Sequence, residues 1–468
     1  MKYLQVNILL IFLFICSFSY SQYNINIKVD KLTNSNLYLG YHYGLKTFIV
    51  DTIQINNKGE GIFKGTEKLQ QGIYFIAFPS MNYFDFMITE NQNFSIVTDT
   101  SNFLETLNFK NSNENQIFLE YQITSAKLRM ALTKQKTQLG KYRHIPDSVK
   151  QIQNSINKLS NTIKQYKAKI ISENKAALFT KIINALSEPV IPEPDINKLR
   201  DYNLNKDSVL QTYIYSYYKN HYFDNFDFSD IRLLYSSILP SKINSFYSKI
   251  VNPITDSLIF ETNKLIKKAG VNADMYKFTI IYLLSIFEST GKMPHDELFV
   301  HIAETYYLSG KAKWMSKTLL NQLKLRVNSI KPNMIGKTAP NLLLQDDKGL
   351  DFNINKLNDK YILLYFWNIE CGHCKTYTPI LHNISNIYQN KIKFIAVYTE
   401  NDKDNWLKYI SDNKLNNWTN AYDQSGNSNL INLYDIYKTP RIYMLDKNKT
   451  IIAKDIEVEN IEKYLNSL

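Results

Sequence analysis

The sequence predicts a multidomain chain: a β-sandwich-like N-terminal domain, an all-α middle domain and a C-terminal α/β domain. Three observations carry this. Short runs of roughly period two fill the first hundred residues. A three-and-four period takes over near residue 113, and strand-like and helix-like runs alternate after about residue 335.

The first residues stand apart from these domains. Lys2 precedes an apolar run from Ile8 to Phe18, and Ser19 and Ser21 are small residues at the positions a signal peptidase reads. Residues 1–21 are therefore expected to be a secretory signal peptide, cleaved before Gln22. The run is short for a bilayer span, and Ile15 stands where a small residue should precede a lipidated Cys16. The mature protein is expected in the periplasm or cell envelope.

Residues 22–110 read as β. "YNINIKV", "NLYLGYHYG", "TFIVDTIQI", "GIFKG", "GIYFIAF", "FDFMI" and "NFSIVTD" are punctuated by Asn, Gly and Pro, the pattern of seven strands in a small antiparallel sandwich. No catalytic constellation lies there, and His42 between two tyrosines reads as a packed surface residue.

Residues 111–330 read as helical. Val149, Ile152, Ile156, Leu159, Ile163, Tyr166 and Ile170 form a heptad seam opened by Pro146 and an expected cap at Asp147 or Ser148. An earlier helix carries Ile117, Tyr121, Leu128, Leu132 and Leu139, so an antiparallel hairpin is expected over about 115–181. Its charge is one-sided: residues 121–181 hold 13 Lys and Arg against Asp147 and Glu173, a net of +11 in a chain of +12. Either this is a solvated face, or it is an electropositive arm for an anionic partner such as lipid head groups or an acidic protein. Nucleic acid is not expected, for there is no basic–aromatic sheet or recognition helix. Farther on, Asp224, Asp227 and Asp230 lie among aromatics without the spacing of a calcium loop; they read either as a ligand-binding lip or as helix caps beside a buried aromatic layer, and the second is favoured. His221, His295 and His301 show no ligand spacing.

"SIKPNMIGKTAPNL" carries Pro332, Gly336 and Pro340 and marks a boundary near residue 331. Across 331–468, "NLLLQ", "LDFNI", "YILLYFW", "KIKFIAVYT", "WTNAYD", "RIYMLD" and "TIIAKDI" read as strands. Helices are expected from the cysteines onward, at "DNWLKYISDN", at "NSNLINLYDI" and at "ENIEKYLNS", giving a mixed sheet covered on both faces.

Beyond Cys16 the chain has two cysteines, Cys371 and Cys374, in "NIECGHCKTYTP". An exported protein that uses cysteine for stability carries several at scattered positions, and a disulfide closing so short a loop removes little chain entropy. A redox pair and half of a metal site both remain. A zinc site needs two further ligands, and His382 has no second candidate beside it.

Here a resemblance becomes specific. "YILLYFWNIECGHCK" resembles the thioredoxin-fold signature, a hydrophobic strand ending in Phe366-Trp367 and a Cys-x-x-Cys opening a helix. The lead-in "GKTAPNLLLQDDKG", Lys375, Pro379 and the Thr439-Pro440 of "YKTPRIYMLD" are similar to the TlpA/ResA-like branch of exported thiol–disulfide oxidoreductases, across about 335–468. The β domain and the helical region with "HYFDNFDFSDIRLL" resemble accessory segments of redoxins from Bacteroidota.

The resemblance implies a thioredoxin fold and an enzyme that exchanges disulfides with protein or small thiol substrates. It also implies a membrane-bound reductase or oxidase that resets the pair. No cofactor is expected beyond the Cys371–Cys374 disulfide itself. Cys371 would be the nucleophile, favoured as thiolate at a helix N-terminus, and Cys374 the resolving thiol. His373 would tune the couple toward a more oxidising potential than thioredoxin, and Pro440 would be the cis proline, after Thr439, facing the disulfide. Two family positions depart: Tyr365 and Tyr377 stand where relatives keep carboxylates. Glu370 is the candidate substitute proton acceptor, although its charge would oppose the Cys371 thiolate. A peroxiredoxin would want Thr where Asn368 stands. A second function class remains: an accessory binding protein whose β and helical domains recruit a partner, with the redox site secondary.

Overall fold

The structure, a computed structural model, describes residues 22–194, 206–289, 295–424, 426 and 428–468, so the signal-peptide expectation for 1–21 lies outside the described residues. The chain forms two compact units, Met1–Phe246 and Tyr247–Leu468. The division falls inside the stretch 111–330 read from the sequence as one helical domain.

In the first unit the seven expected strands form, as β1 (Tyr23–Asp30), β2 (Asn36–Tyr43), β3 (Lys46–Gln54), β4 (Glu60–Gly65), β5 (Gly72–Ala77), β6 (Tyr83–Ile88) and β7 (Asn93–Asp99). A short helix, α1 (Phe103–Thr106), leads to an eighth strand, β8 (Asn108–Lys110), too short to show a period. The sheets run β4-β1-β7-β8 and β3-β2-β5-β6. Pairing is antiparallel except between β1 and β7, which lie parallel and depart from the all-antiparallel expectation. Ile25, Ile27 and Val29, alternate residues of β1, meet Leu37, Leu39, Phe86 and Ile88 of the other sheet. Burial of one face from each sheet is what makes the sandwich.

The helical hairpin follows as α2 (Asn113–Lys141) and α3 (Pro146–Glu173). Tyr121 and Tyr166 stack across it at 5.9 Å. Then come α4 (Leu178–Ala185), α5 (Lys206–His221) and α6 (Ile238–Lys249), the last crossing the division. The three aspartates between α5 and α6 are local fasteners. Asp224 meets His221 at 2.5 Å, Asp227 takes the Lys181 ammonium at 2.8 Å, and Asp230 caps a 3-10 turn at Ile231–Leu234. Around them Tyr222, Phe223, Phe226 and Phe228 are buried as an aromatic layer.

The second unit begins with α7 (Thr255–Ala269), α8 (Ala273–Ser289) and α9 (His295–Ile302). A π-helical turn over Ala303–Leu308 and Gly310, with φ of +83°, lead to α10 (Lys317–Ile330). The sheet that follows has β9 (Leu343–Asp346), β10 (Asp351–Asn353), β11 (Tyr361–Trp367), β12 (Lys393–Tyr398), β13 (Thr419–Tyr422), β14 (Arg441–Asp446) and β15 (Ile451–Lys454). Its order is β10-β9-β13-β12-β11-β14-β15. The helices are α11 (Gly372–Ile387), α12 (Lys403–Asp412), α13 (Leu430–Leu433) and α14 (Val458–Ser467).

Strand β11 is central and buried on both faces. Leu363, Tyr365 and Trp367 pack with Cys374 and Leu381 of α11, Trp406 of α12 and Ile461 of α14. Ile362, Leu364 and Phe366 pack on the other side with Tyr434, Tyr443 and Leu445. A strand in that position reads as a continuous apolar run, which "YILLYFW" is. Truncating Phe366→Ala should cost about 3–5 kcal/mol in denaturant unfolding. By contrast Leu343→Ala, whose side chain is 66% exposed, should stay within about 0.5 kcal/mol.

Candidate active site

The end of β11 sets the site. After Trp367 the chain turns at Asn368, whose side-chain oxygen accepts from the Glu370 N–H at 2.7 Å and whose carbonyl accepts from the Cys371 N–H at 3.3 Å. This Asx turn aims Cys371 into the N-cap position of α11, with extended backbone at φ −75° and ψ 113°. The Cys371 sulfur then does what a capping oxygen does, accepting the Cys374 N–H at 3.1 Å. One turn in, Cys374 is 1% exposed within the core cluster, while Cys371 is half-buried.

The second strand of contact comes from β14. Its antiparallel register sets Arg441 opposite Phe366, which brings the preceding Thr439 and Pro440 to the same end of the sheet as the cysteines. The Thr439–Pro440 peptide is cis. The Thr439 carbonyl accepts from the Cys371 sulfur at 3.1 Å.

These surroundings separate the two thiols. Burial works against a charged Cys371. Hydrogen bonds from the Cys374 thiol, from Thr439 and from the Cys374 and His373 backbone outweigh burial and hold the Cys371 thiol below its ordinary range. Thr439 acts in two senses, since its side chain supports the thiolate whereas its carbonyl accepts from a protonated sulfur. Cys374 goes the other way: burial first, then the adjacent Cys371, push it up to about 12.

The other sequence candidates lie as follows. His373 is exposed, its ring 6.4 Å from that of Tyr377, and the group it offers Cys371 is its backbone N–H. Glu370 lies at the surface with its side chain 87% exposed and 4.0 Å from the Lys375 ammonium. The groups acting on Cys374 are Cys371, the Asn368 backbone and Thr439. Tyr365 is buried, donating to the Cys374 carbonyl at 3.4 Å and standing 3.1 Å from the Thr378 hydroxyl. Burial raises its phenol well above the ordinary range, so it stays neutral and fastens the first turn of α11. Tyr377 is half-buried against the same core.

Sequence reasoning missed Asn368, Thr378 and Tyr409 as parts of the site. Asn368 alone carries a local signal, an Asn two residues ahead of the N–H it binds. Thr378 and Tyr409 reach the site only through packing. An open groove of about 670 Å³ adjoins the pair, lined among others by Ile369, Glu370, Glu400, Asp402 and Tyr409. Among the described residues, no group of three or more His, Cys, Asp and Glu is placed to hold a metal ion.

Residues 358–451 match the family described as Thioredoxin-like. The C-terminal part of the chain is thus a thioredoxin-like domain, similar to TlpA/ResA-like proteins. The homologues it matches are named as thiol–disulfide oxidoreductases. Over 138 residues it is 27% identical to thiol-disulfide oxidoreductase ResA of Geobacillus kaustophilus, a span of 29% of this chain and 78% of that protein. A solved thioredoxin-like protein from Bacteroides caccae is 21% identical with a TM-score of 0.49, covering 60% of this chain and 98% of that one. A domain of a possible thiol-disulfide isomerase from Cytophaga hutchinsonii is 38% identical with a TM-score of 0.28, covering 29% and 92% respectively. Residues 210–333 match a domain of unknown function (DUF5106).

The split between the thiols has a kinetic signature. Iodoacetamide should label reduced Cys371 with a midpoint below the roughly 8.5 of a free cysteine. Cys374 in a Cys371→Ser variant should resist labelling across the neutral range. Mass-spectrometric site assignment across pH 5–10 checks both; equal rates at the two positions would refute the assignment.

Proposed function

We propose that the protein is exported and exchanges disulfides with protein or small thiol substrates through the Cys371–Cys374 pair. The observation that carries this reading is the Cys371 sulfur at the helix N-cap, favoured as thiolate, beside a buried and protonated Cys374. In the reducing direction the Cys371 thiolate attacks a substrate disulfide, forming a mixed disulfide and releasing one substrate thiolate. That thiolate takes up the Cys374 proton. The Cys374 sulfur then attacks Cys371, closing the pair and releasing the second substrate thiolate, with two electrons passed to the substrate. The open groove beside Glu370 gives a polypeptide room to approach. Export rests on the pattern of residues 1–21, and a membrane-bound partner that resets the pair belongs to the same reading.

The test is trapping. Cys374→Ser should accumulate mixed disulfides on Cys371 that reducing agent releases, and Cys371→Ser should accumulate none. Equilibration with glutathione should place the couple above the roughly −270 mV of thioredoxin. A wild-type pair that does not cycle in glutathione would overturn the reading.

One observation favours a recruiting role alongside the chemistry. On the α2–α3 hairpin Lys127, Arg129, Lys134, Lys136, Lys158 and Lys164 are exposed, and Tyr142 and Ile145 are exposed at its tip. Such a surface suits an anionic partner. Binding to an anionic resin or to vesicles of acidic lipid should weaken steeply between low and physiological salt, and charge reversal at Lys134 and Lys136 should weaken it further. Salt-independent binding would remove this reading.

A further inference from the structure

The Thr439 carbonyl that meets Cys371 sits at the end of a segment, Leu433–Arg441, whose opposite side is held by groups far from the thiols. Arg441, next to Pro440, is 5% exposed and gives Nη2 to Asp435 at 2.9 Å, with Asp455 at 3.3 Å from its other terminal nitrogen. Asp435 is 1% exposed and adopts a left-handed backbone, φ +55°. It also takes the guanidinium of Arg326 and the hydroxyl of Ser329, the latter at 3.2 Å, both from α10. Arg326 further lies 5.0 Å over the ring of Tyr437, two residues before Thr439, and 3.7 Å from Glu288. Asn333, just past α10, donates to the Leu433 carbonyl. Beside this cluster Lys454 pairs with Asp296 of α9 and donates to the Asn333 carbonyl at 3.2 Å.

Arg326, Arg441 and Lys454 are set against Asp296, Asp435 and Asp455, with the half-exposed Glu288 at the rim. A desolvated cluster of this kind is a poor source of stability, because each ion gives up its hydration. What it does supply is a fixed geometry: planar guanidinium forks accept only a narrow range of carboxylate positions. Apart from Asp455, the anchors from outside the Leu433–Arg441 segment named above, Arg326, Ser329 and Asn333, come from α10 or the turn after it. Between the anchored Tyr437 and Arg441 lies Thr439, at the sulfur.

We propose that Arg326, Asp435 and Arg441 are positioning residues for the redox pair, and that α10 sets where Thr439 stands relative to Cys371. The helical segment before the thioredoxin-like domain thereby takes part in the chemistry without touching it. This rests on the oxidoreductase reading, since the effect is read at the Cys371–Cys374 couple. Of the two senses in which Thr439 acts on Cys371, the one that favours the thiolate outweighs the carbonyl contact, so loosening its segment should make that thiolate harder to form.

The experiment uses the full chain, with Arg326→Met, Arg326→Lys and, as a control on the same helix, Leu325→Ala at a side chain 67% exposed. Arg326→Met should move the Cys371 alkylation profile to higher pH and slow labelling below the midpoint by about threefold, half a pKa unit. The glutathione equilibrium should move with it, Arg326→Lys should restore part of both, and Leu325→Ala should change neither. Melting is followed in parallel. A lower melting temperature with an unchanged alkylation profile and unchanged glutathione equilibrium would make the cluster a structural clamp alone and overturn the proposal. If Arg326→Met does not fold, Tyr437→Ala at the exposed face of the same segment should give a smaller shift of the same sign, and no shift there overturns it too. A wild-type pair that fails to cycle would instead refute the oxidoreductase reading, with the alkylation profiles still comparable among variants.

Discussion

The hydrogen bond from the Cys374 N–H to the Cys371 sulfur exists because a doubly buried strand and a helix meet at that point. Strand β11 cannot slide: shifting it by one residue would exchange the Leu363–Tyr365–Trp367 face with the Ile362–Leu364–Phe366 face, and both are packed. Its end is therefore fixed, the Asn368 turn follows, and the first turn of α11 presents unpaired N–H groups to a sulfur. The difference between the thiols follows from one helical turn of depth. Cys371 stays where backbone donors and solvent reach it, and Cys374 is carried into the core.

Strand β14 completes the arrangement from a distance in sequence that only the sheet can bridge. Because it runs antiparallel to β11, its N-terminal end lies at the C-terminal end of β11, where the helix starts. The α9–α10 segment packs behind that meeting point within the same compact unit. Asp296 of α9 and Arg326 of α10 thus share buried charges with the sheet region, and an ion pair out of water is expensive to separate.

Much of this was legible in the sequence. The two-residue period of "NINIKV" and the apolar run "YILLYFW" located β1 and β11, and Pro146 with the heptad seam located α3. Cys371 and Cys374 were legible as a pair because two cysteines three apart make little sense as a staple. What stayed hidden depends on contacts between distant residues. The parallel pairing of β1 with β7 has no local signature, and β8 is too short to have one. The carbonyl of Thr439 is invisible as a side-chain motif. Asp435 and Arg441 belong to no motif, and burial is what distinguishes them. His373 drew notice for its imidazole, yet the group facing the sulfur is its main-chain N–H.

The one-turn spacing of the sulfurs also bears on time. A partner captured on Cys371 meets an attacker that does not have to diffuse, because Cys374 belongs to the same helical turn. Its effective concentration at the mixed disulfide exceeds that of any dissolved thiol. On the proposed chemistry, resolution would then wait on deprotonation of the buried Cys374 and not on encounter. Captured partners would be held for an interval set by how readily the core lets one proton go.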